Sequence, residues 1–184
     1  MKKKILAISG STRKSSTNYR ILEFLQDSIS QDSQYEVEIF EGVDTIPHFS
    51  EDQDRTPPDE VISFQRKLIQ CPGVLICSPE YVFSLPGSFK NSLDWLVSTT
   101  VLLNKPLAMI VAAASGEEAF RSLRKICETL GASINDECAL LVQGARGKMD
   151  PEGKPIPELR SQLIDLQDSF LEQLAATESA LQSS

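Results

Sequence analysis

The chain has 184 residues, 41% of them apolar, and 26 acidic side chains against 18 Lys and Arg give it a net charge of −8. That length allows one domain with a full core, and the acidic balance argues against nucleic acid or anionic membrane as its main partner. No apolar run reaches membrane-spanning length, and Met1-Lys2-Lys3-Lys4 runs straight into a strand-like segment rather than a signal-peptide core, so a cytoplasmic protein is expected.

Ile5–Ile8 is a continuous apolar run that suits a parallel strand covered on both faces. Apolar residues at helical spacing (Ile21, Leu22, Leu25, Ile29) predict a helix from about Asn18 to Ser28. Tyr35–Phe40 reads as a second strand. A polar stretch from Glu41 to Pro58, long for a loop, is expected to make an excursion over one end of the sheet. His48 lies in it with no nucleophile near in sequence and is read as solvated or locally bonded. A helix from Pro58 or Asp59 carries Val61, Phe64, Leu68 and Ile69. Val74–Cys77 is the third strand, the loop 78–87 follows, and a helix runs from about Ser88 to Val97. Leu107–Ala113 is the fourth strand. The next helix, Ala119–Leu130, should stop at a left-handed Gly131. Leu140–Val142 is the fifth strand. A last helix starts near Pro157 with Leu159, Leu163, Leu166, Phe170 and Leu174 on one face. Residues 1–176 are thus one domain, and 177–184 are expected to fray. Cys71, Cys77, Cys127 and Cys138 show no Cys-x-x-Cys pair and no metal-like spacing with His48; they read as buried free thiols, and no metal site is expected.

Strand–helix alternation repeated five times predicts a doubly wound α/β domain. In the order 2-1-3-4-5 the topological switch falls between strands one and three, so a ligand should lie across the loops leaving strands one, three and four. Two of those loops are chemically distinctive. Gly10-Ser-Thr-Arg-Lys-Ser-Ser-Thr-Asn18 links the first strand to the first helix. It offers the free N–H groups of a helix start, five hydroxyls, Asn18 and Arg13, a set that suits a phosphate monoester. It has neither the Gly-Lys-Ser/Thr of a nucleoside triphosphate loop nor the Gly-x-Gly-x-x-Gly of a dinucleotide fold; the bland alternative is a Ser/Thr-rich helix cap. Ser78-Pro-Glu-Tyr-Val-Phe-Ser-Leu-Pro-Gly87 brings Tyr81 and Phe83 to the crevice, where a flat ring system would need aromatic walls. The same rings could instead cover the sheet end or a subunit contact. Pro86-Gly87 suits the middle of a type II turn.

Together these segments resemble the NADPH-dependent FMN reductase family, a flavodoxin-like group. Gly10-Ser11-x-Arg13-x-x-Ser16-x-Asn18 is similar to its phosphate loop. Pro79-Glu80-Tyr81 with Ser84, Pro86-Gly87 and Phe89-Lys90-Asn91-Ser92-Leu93-Asp94-Trp95 is similar to its second signature. The likeness extends through Pro47 and Pro58-Asp59-Glu60-Val61, over roughly residues 3–143. It implies a three-layer flavodoxin-like fold with a five-stranded parallel sheet. It also implies an FMN phosphate held by Ser11, Arg13, Ser16, Thr17 and Asn18. The flavin ring would lie against Pro79, Glu80, Tyr81, Val82, Phe83 and Ser84, with Ser115 and Gly116 closing its far side. NADPH or NADH would be the hydride donor, and the acceptor a small molecule such as a quinone, azo compound, metal oxyanion or free flavin. No catalytic side chain is implied, since the flavin carries the hydride. Lys90, Asn91, Asp94 and Trp95 read as helix and subunit-packing positions in a homodimer or homotetramer. Two departures stand out. Val82 takes the place of the family's usual Asn, and Gly116 is followed by Glu117-Glu118-Ala119 instead of a glycine-rich loop. The two glutamates read either as favourable negative charge at a helix start or as carboxylates beside the nucleotide's approach, where they repel the extra phosphate of NADPH. Arg121 and Arg124 one turn on act against that repulsion, and less discrimination in favour of NADPH is the expectation.

Overall fold

Each apolar run becomes a strand whose alternate residues enter two different cores. In this computed structural model, which describes residues 2–32 and 34–182, strands β1 (Lys3–Ser9), β2 (Tyr35–Phe40), β3 (Val74–Ser78), β4 (Leu107–Ala112) and β5 (Ala139–Val142) form one parallel sheet in the order β2-β1-β3-β4-β5. The register sets Ile8 beside Ile76, Ile76 beside Met109, and Met109 beside Ala139. Ile5, Ala7, Leu75, Cys77, Ala108 and Ile110 face helices α1 (Thr17–Asp32) and α5 (Pro157–Gln182). Leu6, Ile8, Val74, Ile76, Met109 and Val111 face α2 (Asp59–Gln70), α3 (Gly87–Asp94) and α4 (Glu117–Thr129). This two-sided burial is why the central strands read as unbroken apolar runs rather than alternating ones. The three-layer, flavodoxin-like order expected from the alternation is the one observed.

The excursion after β2 is held to the domain by two side chains of the α3 region. Asn91 accepts the Phe49 N–H at 2.8 Å and donates to the carbonyls of Ile46 and Pro47 at 3.2 and 2.9 Å. The indole of Trp95 donates to Pro47 at 2.7 Å and meets the Phe49 ring edge-on at 5.1 Å. Asn91 and Trp95 thus make these bonds within their own chain, while Lys90 and Asp94 form an ion pair across one helical turn. His48 is exposed.

Three local expectations are corrected. Pro86-Gly87 is not the middle of a type II turn: Pro86 precedes α3, its carbonyl accepts the Lys90 N–H at 2.9 Å, and Gly87 is the first helical residue. Proline's fixed φ with an extended ψ suits a residue entering a helix. Ile69 is exposed although Val61, Phe64 and Leu68 are buried, because one residue past Leu68 is a 100° step around the helix, off the inward stripe. Against the fraying expected over 177–184, α5 continues past Ala176 to Gln182, and residues 183–184 lie outside the described residues. Residues 176–182 contain neither Gly nor Pro, and Glu178 anchors this turn by pairing with Lys3 and accepting from the Tyr35 hydroxyl.

Candidate functional site

The loop after β1 begins with a close approach. A Cβ on Gly10 would lie 2.3 Å from Ser78 Oγ, so only glycine lets β1 leave the sheet this near to β3. The loop then braces itself. The Ser9 hydroxyl donates to the Ser11 carbonyl at 2.8 Å and accepts the Ser11 N–H at 3.2 Å. Ser11 Oγ accepts the Arg13 N–H at 3.3 Å, and Ser16 Oγ accepts the Tyr19 N–H at 3.1 Å, capping α1. Each of these two hydroxyls accepts from the backbone, so its own hydrogen is left to donate to an anion. The N–H groups of Thr17 and Asn18, the first of α1, have no partner among the described residues. Lys14 turns away from them onto Glu41, which also accepts from the Tyr19 hydroxyl. The Lys14 hydrogen bond, then that from Tyr19, holds the Glu41 carboxyl below its usual range.

Asn18 is a brace. Its amide donates to the Ala112 carbonyl at 3.2 Å, and its oxygen accepts the Cys77 thiol at 3.3 Å, so the start of α1 is tied to the ends of β3 and β4. Burial pushes the Cys77 thiol far above the usual thiol range, which keeps it protonated and able to donate. All four cysteines are free and buried, as the sequence led us to expect.

The loop after β3 closes in a two-residue turn. Tyr81 and Ser84 exchange backbone hydrogen bonds at 2.9 and 3.1 Å, and the residues between them, Val82 and Phe83, have φ of 51° and 57°. Two successive positive φ values are those of a type I′ turn, which favours Asn and Gly; Val is among the least suited. Both side chains point outward, 93% and 76% exposed. Glu80 points the other way: its carboxylate accepts the N–H of Gly116 at 3.1 Å and of Ala119 at 3.0 Å, capping α4 from across the crevice. Gly116 has φ of 91°, so the turn into α4 requires it. Of the two glutamates that follow, Glu117 accepts from Gln143 at 3.1 Å and Glu118 pairs with Arg121.

These loops enclose a cleft of about 460 Å³ lined by Ser11, Arg13, Ser16, Thr17 and Asn18 on one side and Pro79, Glu80 and Tyr81 on another, within the usual size of a cofactor site. Eight of the thirteen expected site residues meet there. Val82, Phe83, Ser84, Ser115 and Gly116 do not line it; Ala112, Ala113 and Ala114 take the place expected of Ser115 and Gly116. Gly144, Ala145 and Arg146, from the turn after β5, complete the wall, and no sequence motif marked them. The signal available was topological, since β5 lies next to β4 in the predicted order. A donor-rich helix start facing a partly apolar crevice fits a phosphate monoester carrying a flat ring.

Residues 3–146 match the family model described as NADPH-dependent FMN reductase. The chain is 31% identical over 179 residues to the NADH:(hydroxy)cinnamate reductase subunit CrdA of Vibrio ruber, covering 94% of this chain and 86% of that one. It is 28% identical over 158 residues to a quinone reductase of Escherichia coli K12, covering 82% and 83%. In fold it is similar to the flavoenzyme NAD(P)H:(acceptor) oxidoreductase of Paracoccus denitrificans, with a TM-score of 0.80 at 22% identity over 95% of this chain and 98% of that one.

Proposed function

This chain belongs to the NADPH-dependent FMN reductase family, and on that premise we propose that it is an FMN-dependent NAD(P)H oxidoreductase that reduces a small acceptor. The observation that carries the reading is the cleft itself, where unpartnered helix N–H groups and Arg13 stand at one end and Pro79 and Tyr81 at the other. Bound FMN would supply the chemistry, taking a hydride from the nicotinamide and passing two electrons on.

The protein's part is binding and orientation. The Ser11 and Ser16 hydroxyls, the Thr17 and Asn18 N–H groups and the Arg13 guanidinium hold the phosphate. Backbone groups of residues 79–81 and the Tyr81 ring face the flavin. Glu80, through Gly116 and Ala119, fixes the loop after β4 against the loop after β3. Val82, Phe83 and Ser84 form the rim where a second substrate enters, with Ser115 and Gly116 on the opposite lip. The acceptor is a quinone, an azo compound, a metal oxyanion or free flavin, reduced in the cytoplasm by a homodimer or homotetramer. A second reading, delivery of electrons to a protein partner, is favoured by the exposed apolar tip Val82-Phe83.

Absorbance after incubation with FMN and desalting, followed by NAD(P)H oxidation with a quinone, tests the proposal. Retained flavin and acceptor-dependent oxidation by the pure protein are expected. Retained flavin without oxidation would favour the carrier reading, and no retained flavin would contradict both.

A further inference from the structure

Arg146 stands in the wall of the same cleft as Arg13, yet it comes from the far side of the sheet sequence, in the turn after β5. Its backbone is fixed there. Gly144 donates its N–H to Ala114 at 3.1 Å, Ala145 donates to Ala113 at 3.0 Å, and Ala145 is itself buried. The neighbouring residue, Ala112, accepts the Asn18 amide at 3.2 Å. A short run of hydrogen bonds therefore connects the first turn of α1, the end of β4 and the turn that carries Arg146.

The guanidinium is uncommitted. Arg20, Arg121 and Arg124 each form an ion pair, and Arg160 lies over the Phe24 ring at 6.0 Å, while Arg55 and Arg66, also without a side-chain partner among the described residues, stand away from the cleft. Neither Arg13 nor Arg146 has a side-chain partner among the described residues, although acidic groups outnumber Lys and Arg by 26 to 18. Two free guanidinium groups on one cleft of an acidic protein match a ligand group carrying more than one negative charge. A phosphate monoester carries about −1.5 to −2 near neutral pH, and guanidinium is the side chain whose fork fits phosphate oxygens.

We propose that Arg146 is a second cation for the phosphate monoester received by the loop after β1, closing on it from the β5 side while Arg13 holds it from the β1 side. The inference rests on the FMN reading above and adds to it a binding residue outside the two loop motifs.

The test is the dissociation constant of FMN and of riboflavin, from flavin fluorescence, for the parent, Arg13→Ala, Arg146→Ala, Arg146→Lys and the double Ala variant. Arg146→Ala should weaken FMN about three- to tenfold, since a charged hydrogen bond is strong but this side chain is exposed. Riboflavin should change by less than about twofold, Arg146→Lys should recover part of the loss, and FMN binding should become less salt-dependent. FMN affinity unchanged in Arg146→Ala, or FMN and riboflavin weakened alike, would overturn the proposal while leaving the FMN reading intact if Arg13→Ala still weakens FMN selectively. A raised KM for NAD(P)H with unchanged FMN affinity would reassign Arg146 to the hydride donor and overturn it too. A parent that binds neither flavin would defeat the FMN reading and this inference with it.

Discussion

The Glu80 carboxylate accepts the Gly116 N–H at 3.1 Å across the crevice and reaches the Ala119 N–H with its other oxygen at 3.0 Å. One side chain thus caps α4 and joins the loops after β3 and β4, the two walls a flat ring would lie between. Negative charge at a helix start is favourable in itself. A capping side chain contributes about 0.5–2 kcal/mol. Glu80→Ala should therefore lower Tm by several degrees and weaken FMN and riboflavin together, because the loss is one of positioning. Glu80→Gln, which keeps one acceptor oxygen, should do less of each. An unchanged Tm in Glu80→Ala, with flavin binding intact, would show that the tie is idle.

Val82 occupies a backbone conformation that a β-branched residue avoids, and its side chain is 93% exposed, so little packing is lost by replacing it. A residue held in this region costs about 1–3 kcal/mol, and Asn tolerates it. Val82→Asn should stabilise the protein by about 1 kcal/mol, read as a rise in Tm of a few degrees. A fall in Tm would mean that the Val82 side chain makes a contact, such as one with a second subunit, that outweighs its strain.

Burial raises all four thiols: Cys138 to about 11, Cys127 to about 12, and Cys71 and Cys77 upward by the same cause. An unfolded thiol ionises near pH 8.5, so above that pH the unfolded chain holds fewer protons than the folded one. Stability is then present below about pH 8.5 and lost as pH rises toward the folded values. Tm should fall steadily between about pH 8 and pH 10, and a thiol reagent should label the native protein far more slowly than the denatured one. Rapid native labelling, or a Tm flat across that range, would contradict the burial of these groups.

The buried strands were legible because covering a strand on both faces leaves a signature in composition, as in Ile5–Ile8 and Val74–Cys77, and their order followed from the doubly wound class that strand–helix alternation implies. The loop after β1 was legible because its donor-rich sequence, which a helix cap alone would also use, falls at the topological switch where a ligand is expected. What escaped depended on conformation or on contacts distant in sequence. Pro86-Gly87 fits a turn and a helix entry equally well by residue type. Nothing local in Val82-Phe83 announces two positive φ values, since residue preference points the other way. Arg146 reaches the cleft only because Ala145 bonds to Ala113 on a neighbouring strand end. Asn18 and Glu80 belong to these loops, and their side chains spend much of their bonding on joining elements of the chain: Asn18 on β3 and β4, Glu80 on α4.

The central claim is that the loop after β1 recognises the phosphate of FMN, and the ratio of FMN to riboflavin affinity tests it most directly. Ser11, Ser16, Arg13 and two N–H groups can act on the phosphate and on nothing in riboflavin, and each hydrogen bond to a charged group contributes about 1.5–3 kcal/mol. The parent should bind FMN at least about a hundredfold more tightly than riboflavin. Arg13→Ala should cut that ratio about tenfold through FMN alone, with Tm unchanged because the Arg13 side chain is exposed and has no partner among the described residues. Equal affinity for the two flavins in the parent protein would contradict the account.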